Sequence, residues 1–172
     1  MAIMVLKPQD VVILIKIHAL QGQEWTYASL AGQLKMSPAT VHVGLQTASI
    51  ARLFDSQRKL PIRRNLLEFL LHGVKYCYPP SPGQAARGIP TSYAASPLVS
   101  RFPSTAEPAP VWPFPTGMVR GISLEPLYPS VPVAAMADPR FAELMALIDA
   151  IRQGRPREHQ VAAEELRSRF ND

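Results

Sequence analysis

Residues 26–45 read TYASLAGQLKMSPATVHVGL, and this stretch has the pattern of a helix-turn-helix. Thr26 is placed to N-cap a helix whose inward positions are Leu30, Ala31 and Leu34, with Ala31 small where a second helix must cross closely. Lys35-Met36 forms the turn. Ser37 caps the second helix and Pro38 takes its first position, where a missing N–H costs nothing. Met36 and Val41 are the two ends of a hydrophobic staple. Val41 and Leu45, four residues apart, share one helical face. Ala39, Thr40, His42, Val43 and Gln46 then point outward. A helix held by its back and exposed at its front is what major-groove reading requires. Gln46 is the best base reader among them, because its amide pairs bidentately with adenine. Thr40 suits a thymine methyl or a phosphate, and His42 a base edge or a phosphate. Ser37 sits at a helix N-terminus, whose backbone N–H groups suit a phosphate. The same spacing also fits an ordinary αα-hairpin with no DNA role.

The pattern resembles the helix-turn-helix of bacterial winged-helix regulators of the MarR type, through Leu30-Ala31, Leu34, Ser37, Thr40-Val41 and Leu45. The resemblance implies a winged helix-turn-helix N-terminal domain that binds double-stranded DNA as a homodimer. It also implies a recognition helix over about residues 38–52. Members of that group usually carry Gly where Lys35 stands, since this residue often takes a left-handed backbone. Lys there costs about 1 kcal/mol.

The chain has 172 residues and a net charge of +5. Residues 1–75 hold nine Lys/Arg against four Asp/Glu, whereas 138–172 hold six against seven, so the positive excess lies with the helix-turn-helix. Lys35, Arg52, Arg58, Lys59, Arg63 and Arg64 surround or follow the recognition helix. Such a cluster neutralises phosphates and releases counterions, or is simply a solvated face. No run of 18 apolar residues exists, so no membrane span or membrane partner is expected. Val11–Ile17 is too short and poorly placed for a signal peptide. The single Cys77 excludes an internal disulfide, and a reducing cytoplasm fits best.

The first helix is expected over Pro8–Leu20, with an apolar surface broad enough for dimerisation or burial. Glu24-Trp25-Thr26 reads as a short strand. A fourth helix runs from Pro61 to about Lys75, and no room is left between the third and fourth helices for a hairpin wing. The candidate wing is therefore VKYCYPPSPGQAARGIPTSY, residues 74–93, with Arg87 near its tip suited to a minor groove. Residues 76–137 hold 13 of the 18 prolines, interleaved with Tyr76, Tyr78, Tyr93, Phe102, Trp112, Phe114 and Tyr128. Aromatics among prolines suggest an extended strap that wraps its own domain or docks on a partner through Trp112, Phe114 and Tyr128. Helix returns at Asp138-Pro139, with a stripe of Phe141, Leu144, Leu147, Ile148 and Ile151. Gly154 stops it and Pro156 starts another, giving a C-terminal helical hairpin. The fold class expected is thus mainly α, in three parts: residues 1–78, 79–137 and 138–172.

No catalytic constellation stands out. P-loop and nucleophile-elbow patterns are absent. The acids before residue 138 are scattered (Asp10, Glu24, Asp55, Glu68, Glu107, Glu125), which disfavours a two-metal or glycosidase site. His18, His42, His72 and His159 lack metal-ligand spacing. No catalytic residue, cofactor or metal is expected, and the chain is not read as an enzyme.

The first functional reading is a sequence-specific DNA-binding transcriptional regulator. The second is an antitoxin-type or adaptor protein. HGVKYCYP, RGIPTSYAASPL, VWPFP and DPRFAELMALIDAIRQGRPREH are similar to segments of chains that partner nucleotidyltransferase-type toxins. That resemblance implies a toxin-type protein partner, held by the proline-rich segment and the C-terminal helices. Both roles are compatible in one chain.

Overall fold

In a computed structural model, residues 4–81, 83–103 and 107–172 are described. The chain divides into two units. One comprises the chain up to Leu66 together with Leu127–Phe141; the other comprises Leu67–Pro126 and Ala142–Asp172.

The first unit opens with α1 (Pro8–Ala19), α2 (Tyr27–Leu34) and α3 (Pro38–Ile50). Pro8 occupies the first turn of α1, and Asp10 accepts the Lys7 N–H at 2.9 Å, so an orphan donor of the helix start is satisfied. Every residue from Val11 to Ile17 is buried. That run includes Lys16, whose ammonium pairs with Asp138 at 2.5 Å and lies over the Phe141 ring. α1 packs on α2 and α3. Two short strands follow, β1 (Phe54–Asp55) and β2 (Leu60–Pro61), paired antiparallel with Phe54 opposite Pro61. Helix α4 (Arg63–His72) begins here and α6 (Val131–Met136) packs against α2.

The second unit contains the rest of α4, the single turn α5 (Val74–Cys77) and three strands: β3 (Ala85–Pro90), β4 (Pro110–Pro113) and β5 (Val119–Ser123). β3 pairs antiparallel with both others, β4 and β5 pair parallel, and the three close into a small barrel. Closure this tight requires missing side chains. A Cβ on Gly88 would lie 1.9 Å from the Trp112 carbonyl oxygen, and one on Gly121 2.0 Å from that of Ala109. α7 (Pro139–Gln153) and α8 (Pro156–Asn171) complete the chain. Asp149 of α7 is fully buried and accepts hydrogen bonds from Thr91 Oγ1 (2.7 Å), Trp112 Nε1 (2.7 Å) and Arg152 (2.8 Å). Arg152 also donates to the carbonyls of Tyr78 and Glu125.

Several expectations are corrected. Helix occupies about 53% of the described residues and strand 12%, in two small sheets, so the class is mixed α/β and not the mainly α, winged helix-turn-helix layout. The wing expected at residues 74–93 does not form. Val74–Cys77 is helical, with the N–H groups of Cys77 and Tyr78 donating to Gly73 and Val74, so local hydrogen bonds are spent before Pro79 is reached. Arg87 lies on a strand whose partners are 110–113 and 119–123, far away in sequence. A hairpin does fit between the third and fourth helices, at 54–61, because the Asp55 carboxylate builds its turn by accepting the N–H groups of Gln57 and Arg58. The proline-rich stretch is not an extended strap. Three of its 13 prolines fall at strand ends (Pro90, Pro110, Pro113), where a missing donor is tolerated. Glu24–Thr26 is not a strand, and α4 stops at His72. Among the described residues no helix is long and apolar enough to cross a membrane.

Candidate nucleic-acid interface

The helix-turn-helix segment folds by the local rules its sequence carries. Thr26 Oγ1 accepts the Ser29 N–H at 3.0 Å, and Ser29 Oγ accepts the Thr26 N–H at 2.8 Å, a reciprocal cap at the start of α2. Lys35 takes the left-handed conformation (φ 55°, ψ 41°), and the Met36 N–H returns to the Ala31 carbonyl. A side chain other than Gly accepts that backbone at a cost of about 1 kcal/mol. Ser37 Oγ accepts the Thr40 N–H at 3.0 Å and lies 2.8 Å from Thr40 Oγ1, with Pro38 in the first turn of α3.

Val41, Gly44, Leu45 and Ala48 turn inward and are buried, as are Leu30, Ala31 and Leu34 of α2. Ala39, His42, Val43 and Gln46 are exposed, and Thr40 is partly so. The front of α3 is therefore open and its back is seated. His42 lies against Tyr27, ring centroids 5.3 Å apart, which limits its freedom on that surface. From Thr26 to Phe54 there is no Asp or Glu, and from Thr26 to Arg64 there are six Lys/Arg against one Asp.

The β1–β2 turn adds cations to this unit. Arg58 and Lys59 are exposed in it, Arg58 only 3.8 Å from Asp55 in a loose, solvated pair. Lys59 is fixed more firmly: its carbonyl accepts the Trp25 indole N–H at 3.3 Å, and its ammonium lies 6.0 Å from the Trp25 ring. An open groove of about 690 Å³ runs between Gln23–Thr26, Ser29 and this turn. Arg52 is exposed with φ 60°, its carbonyl held by Asn65 Nδ2 at 2.8 Å.

Two carboxylates lie behind these elements. Burial raises the Asp10 carboxyl above its ordinary value, opposed by the Lys7 N–H and charge. For Asp138, burial acts upward but is outweighed by the hydrogen bond and charge of Lys16 and by the Phe141 and Arg140 N–H groups, so its carboxyl lies below the ordinary value.

Lys35, Ser37, Thr40, His42, Gln46, Arg52, Arg58 and Lys59 thus all belong to the first unit. Arg87 does not: it is exposed on β3 of the second unit, opposite Arg120. Trp112 is 2% exposed, its N–H spent on Asp149, while Phe114 and Tyr128 are half-buried. Sequence reasoning missed Trp25 and Tyr27, although both flank the helix cap at Thr26. Among the described residues no group of His, Cys, Asp or Glu has the arrangement of a metal site.

No known protein family, curated protein or solved structure matches this chain.

Proposed function

We propose that this chain is a sequence-specific DNA-binding transcriptional regulator, with α3 as the helix that enters the major groove. The observation that carries the reading is the carboxylate-free α2–α3 pair, with α3 buried along its back and open along Ala39, His42, Val43 and Gln46. A carboxylate on α2 or α3 would repel phosphate, and neither helix carries one; the exposed Glu24 lies in the groove beside Arg58 and Lys59. Lys35, Arg58 and Lys59 supply backbone neutralisation, and Gln46 supplies the base contact. As a homodimer the protein would place two α3 helices in half-sites about one helical turn apart.

The adaptor reading has less support, because Trp112, its main anchor, is enclosed by Asp149 and its neighbours. The deciding experiment is fluorescence anisotropy with duplex DNA from upstream of the coding sequence, against a scrambled duplex, at two salt concentrations. A preference that survives the higher salt is expected. Equal weak binding to both duplexes would reduce α2–α3 to a scaffold.

A further inference from the structure

We infer that the paired strands β3 and β5 hold a DNA backbone phosphate between Arg87 and Arg120, a second contact outside the α3 face. The inference rests on the DNA-binding reading. Arg87 stands directly opposite Arg120 in the antiparallel register, and both are exposed. Opposed residues on paired strands project from the same side, with Cβ atoms about 4.5–5.5 Å apart, and like charges there repel.

Four of the six other arginines of this unit have carboxylate partners, while Arg157 and Arg167 have none among the described residues, so what sets Arg87 and Arg120 apart is that they stand opposite each other. Arg101 pairs with Glu165, Arg152 with Asp149, Arg155 with Glu107 and Arg169 with Glu143. Neither Arg87 nor Arg120 has a carboxylate partner among the described residues. The acids nearest Arg120 in sequence are already engaged, Glu125 by Ser81 Oγ at 3.1 Å and Glu107 by Arg155. Water and salt screen the repulsion between these exposed groups only in part, and an anion held between them would offset the rest.

The chemistry selects phosphate. Guanidinium forks bind phosphate oxygens through paired N–H donors, and the two arginines stand opposite each other in register here. The Arg87 backbone is fixed on both sides, by β5 pairing and by the Phe114 N–H donating to its carbonyl at 3.1 Å. Ala85 and Ile122, two positions along the same face, offer no hydrogen-bonding side chain. The face discriminates by charge alone, as a sequence-neutral backbone contact does. Duplex DNA presents one charge per about 1.7 Å of axis, so such a clamp finds a phosphate in any register.

The test compares the intact chain with the double variant Arg87→Gln/Arg120→Gln, by anisotropy with specific and scrambled duplexes over a salt series. The slope of log K against log salt should become shallower by about 1–2 units, for one or two phosphates released. Affinity for both duplexes should fall alike, about tenfold at low salt. Arg87→Lys/Arg120→Lys should keep most of the slope, and matching circular dichroism spectra establish that the variants fold. An unchanged slope in the glutamine variant overturns this inference and leaves the α3 reading standing, as it would if the face served an acidic protein. A loss confined to the specific duplex also overturns it. Absence of DNA binding by the unaltered chain overturns both.

Discussion

Asp10 and Gly44 meet where α1 packs on α3: a Cβ on Gly44 would lie 2.8 Å from Asp10 Oδ1 and 2.8 Å from Ile13 Cδ1. Neither neighbour is free to yield. Asp10 is held by the Lys7 N–H that it caps, and Ile13 is fully buried. The seat of α3 therefore depends on a missing side chain. Gly44→Ala should gain up to about 1 kcal/mol of helix propensity and lose about 1–3 kcal/mol to overpacking. A net loss of stability is expected, visible as a lower denaturant midpoint, together with weaker DNA binding. A midpoint at or above that of the parent would mean that Asp10 and Ile13 move aside freely.

Gln46 lies on the open face of α3, clear of the core. Gln46→Ala should leave folding unchanged and remove about 1–3 kcal/mol of discrimination at one base position. Binding to a set of single-substitution operators would locate that position. Unaltered preference at every position would take Gln46 out of the interface.

Lys59 is held against Trp25, so its charge sits at a defined place in the β1–β2 turn. Lys59→Ala should weaken binding to all duplexes alike and flatten the salt slope by about one unit. Trp25→Ala should produce part of the same loss by releasing the turn. If Lys59→Ala leaves the slope intact, that ammonium faces solvent in the complex.

The first unit was the legible part. Thr26 and Ser37 act through bonds to residues three positions away and Pro38 through its fixed φ in the first turn, so the caps and bounds of α2 and α3 follow from local sequence. The left-handed Lys35 was expected from the helix-turn-helix pattern, in which Gly usually fills that position. The β1–β2 hairpin was missed because its turn depends on one side chain, Asp55, accepting two N–H groups within three residues. The barrel was not legible for the opposite reason. β3 pairs with segments about twenty to thirty-five residues further on, and the glycines that permit it, Gly88 and Gly121, look locally like loop residues. Prolines at strand ends read as an extended strap until their partners are known. Lys16, which interrupts an apolar run, gave no sign of its partner Asp138, 122 residues away.

That pair makes stability depend on pH. Lys16 is 4% exposed at its side chain and Asp138 21%. The Asp138 carboxyl is held below its ordinary value of 3.8, so it binds fewer protons folded than unfolded. Its contribution is fully present above the unfolded value and is lost as pH falls through the folded one. Asp138→Asn should cost about 2–3 kcal/mol at neutral pH, less than a fully enclosed pair because Asp138 keeps some water. Urea midpoints at successive pH values should show the gap between parent and variant closing below the ordinary carboxylate range. A gap that persists undiminished in acid would mean that the amide fails by packing and not by charge.

Asp149 organises the second unit, since one carboxylate accepts from Thr91, Trp112 and Arg152 with no access to solvent. Asp149→Asn removes the charge that faces Arg152 and replaces an acceptor oxygen with a donor. Three donors would then converge on a single oxygen, and a buried guanidinium would lose its counter-charge. The expected cost is about 3–5 kcal/mol. Indole fluorescence should report the loss at Trp112. Adding Arg152→Met should recover only part of it, because Thr91 and Trp112 still lack an acceptor and the Tyr78 and Glu125 carbonyls lose a donor. Full recovery in the double variant would show that the ion pair alone, and not the hydrogen-bonded set around it, sustains this part of the fold.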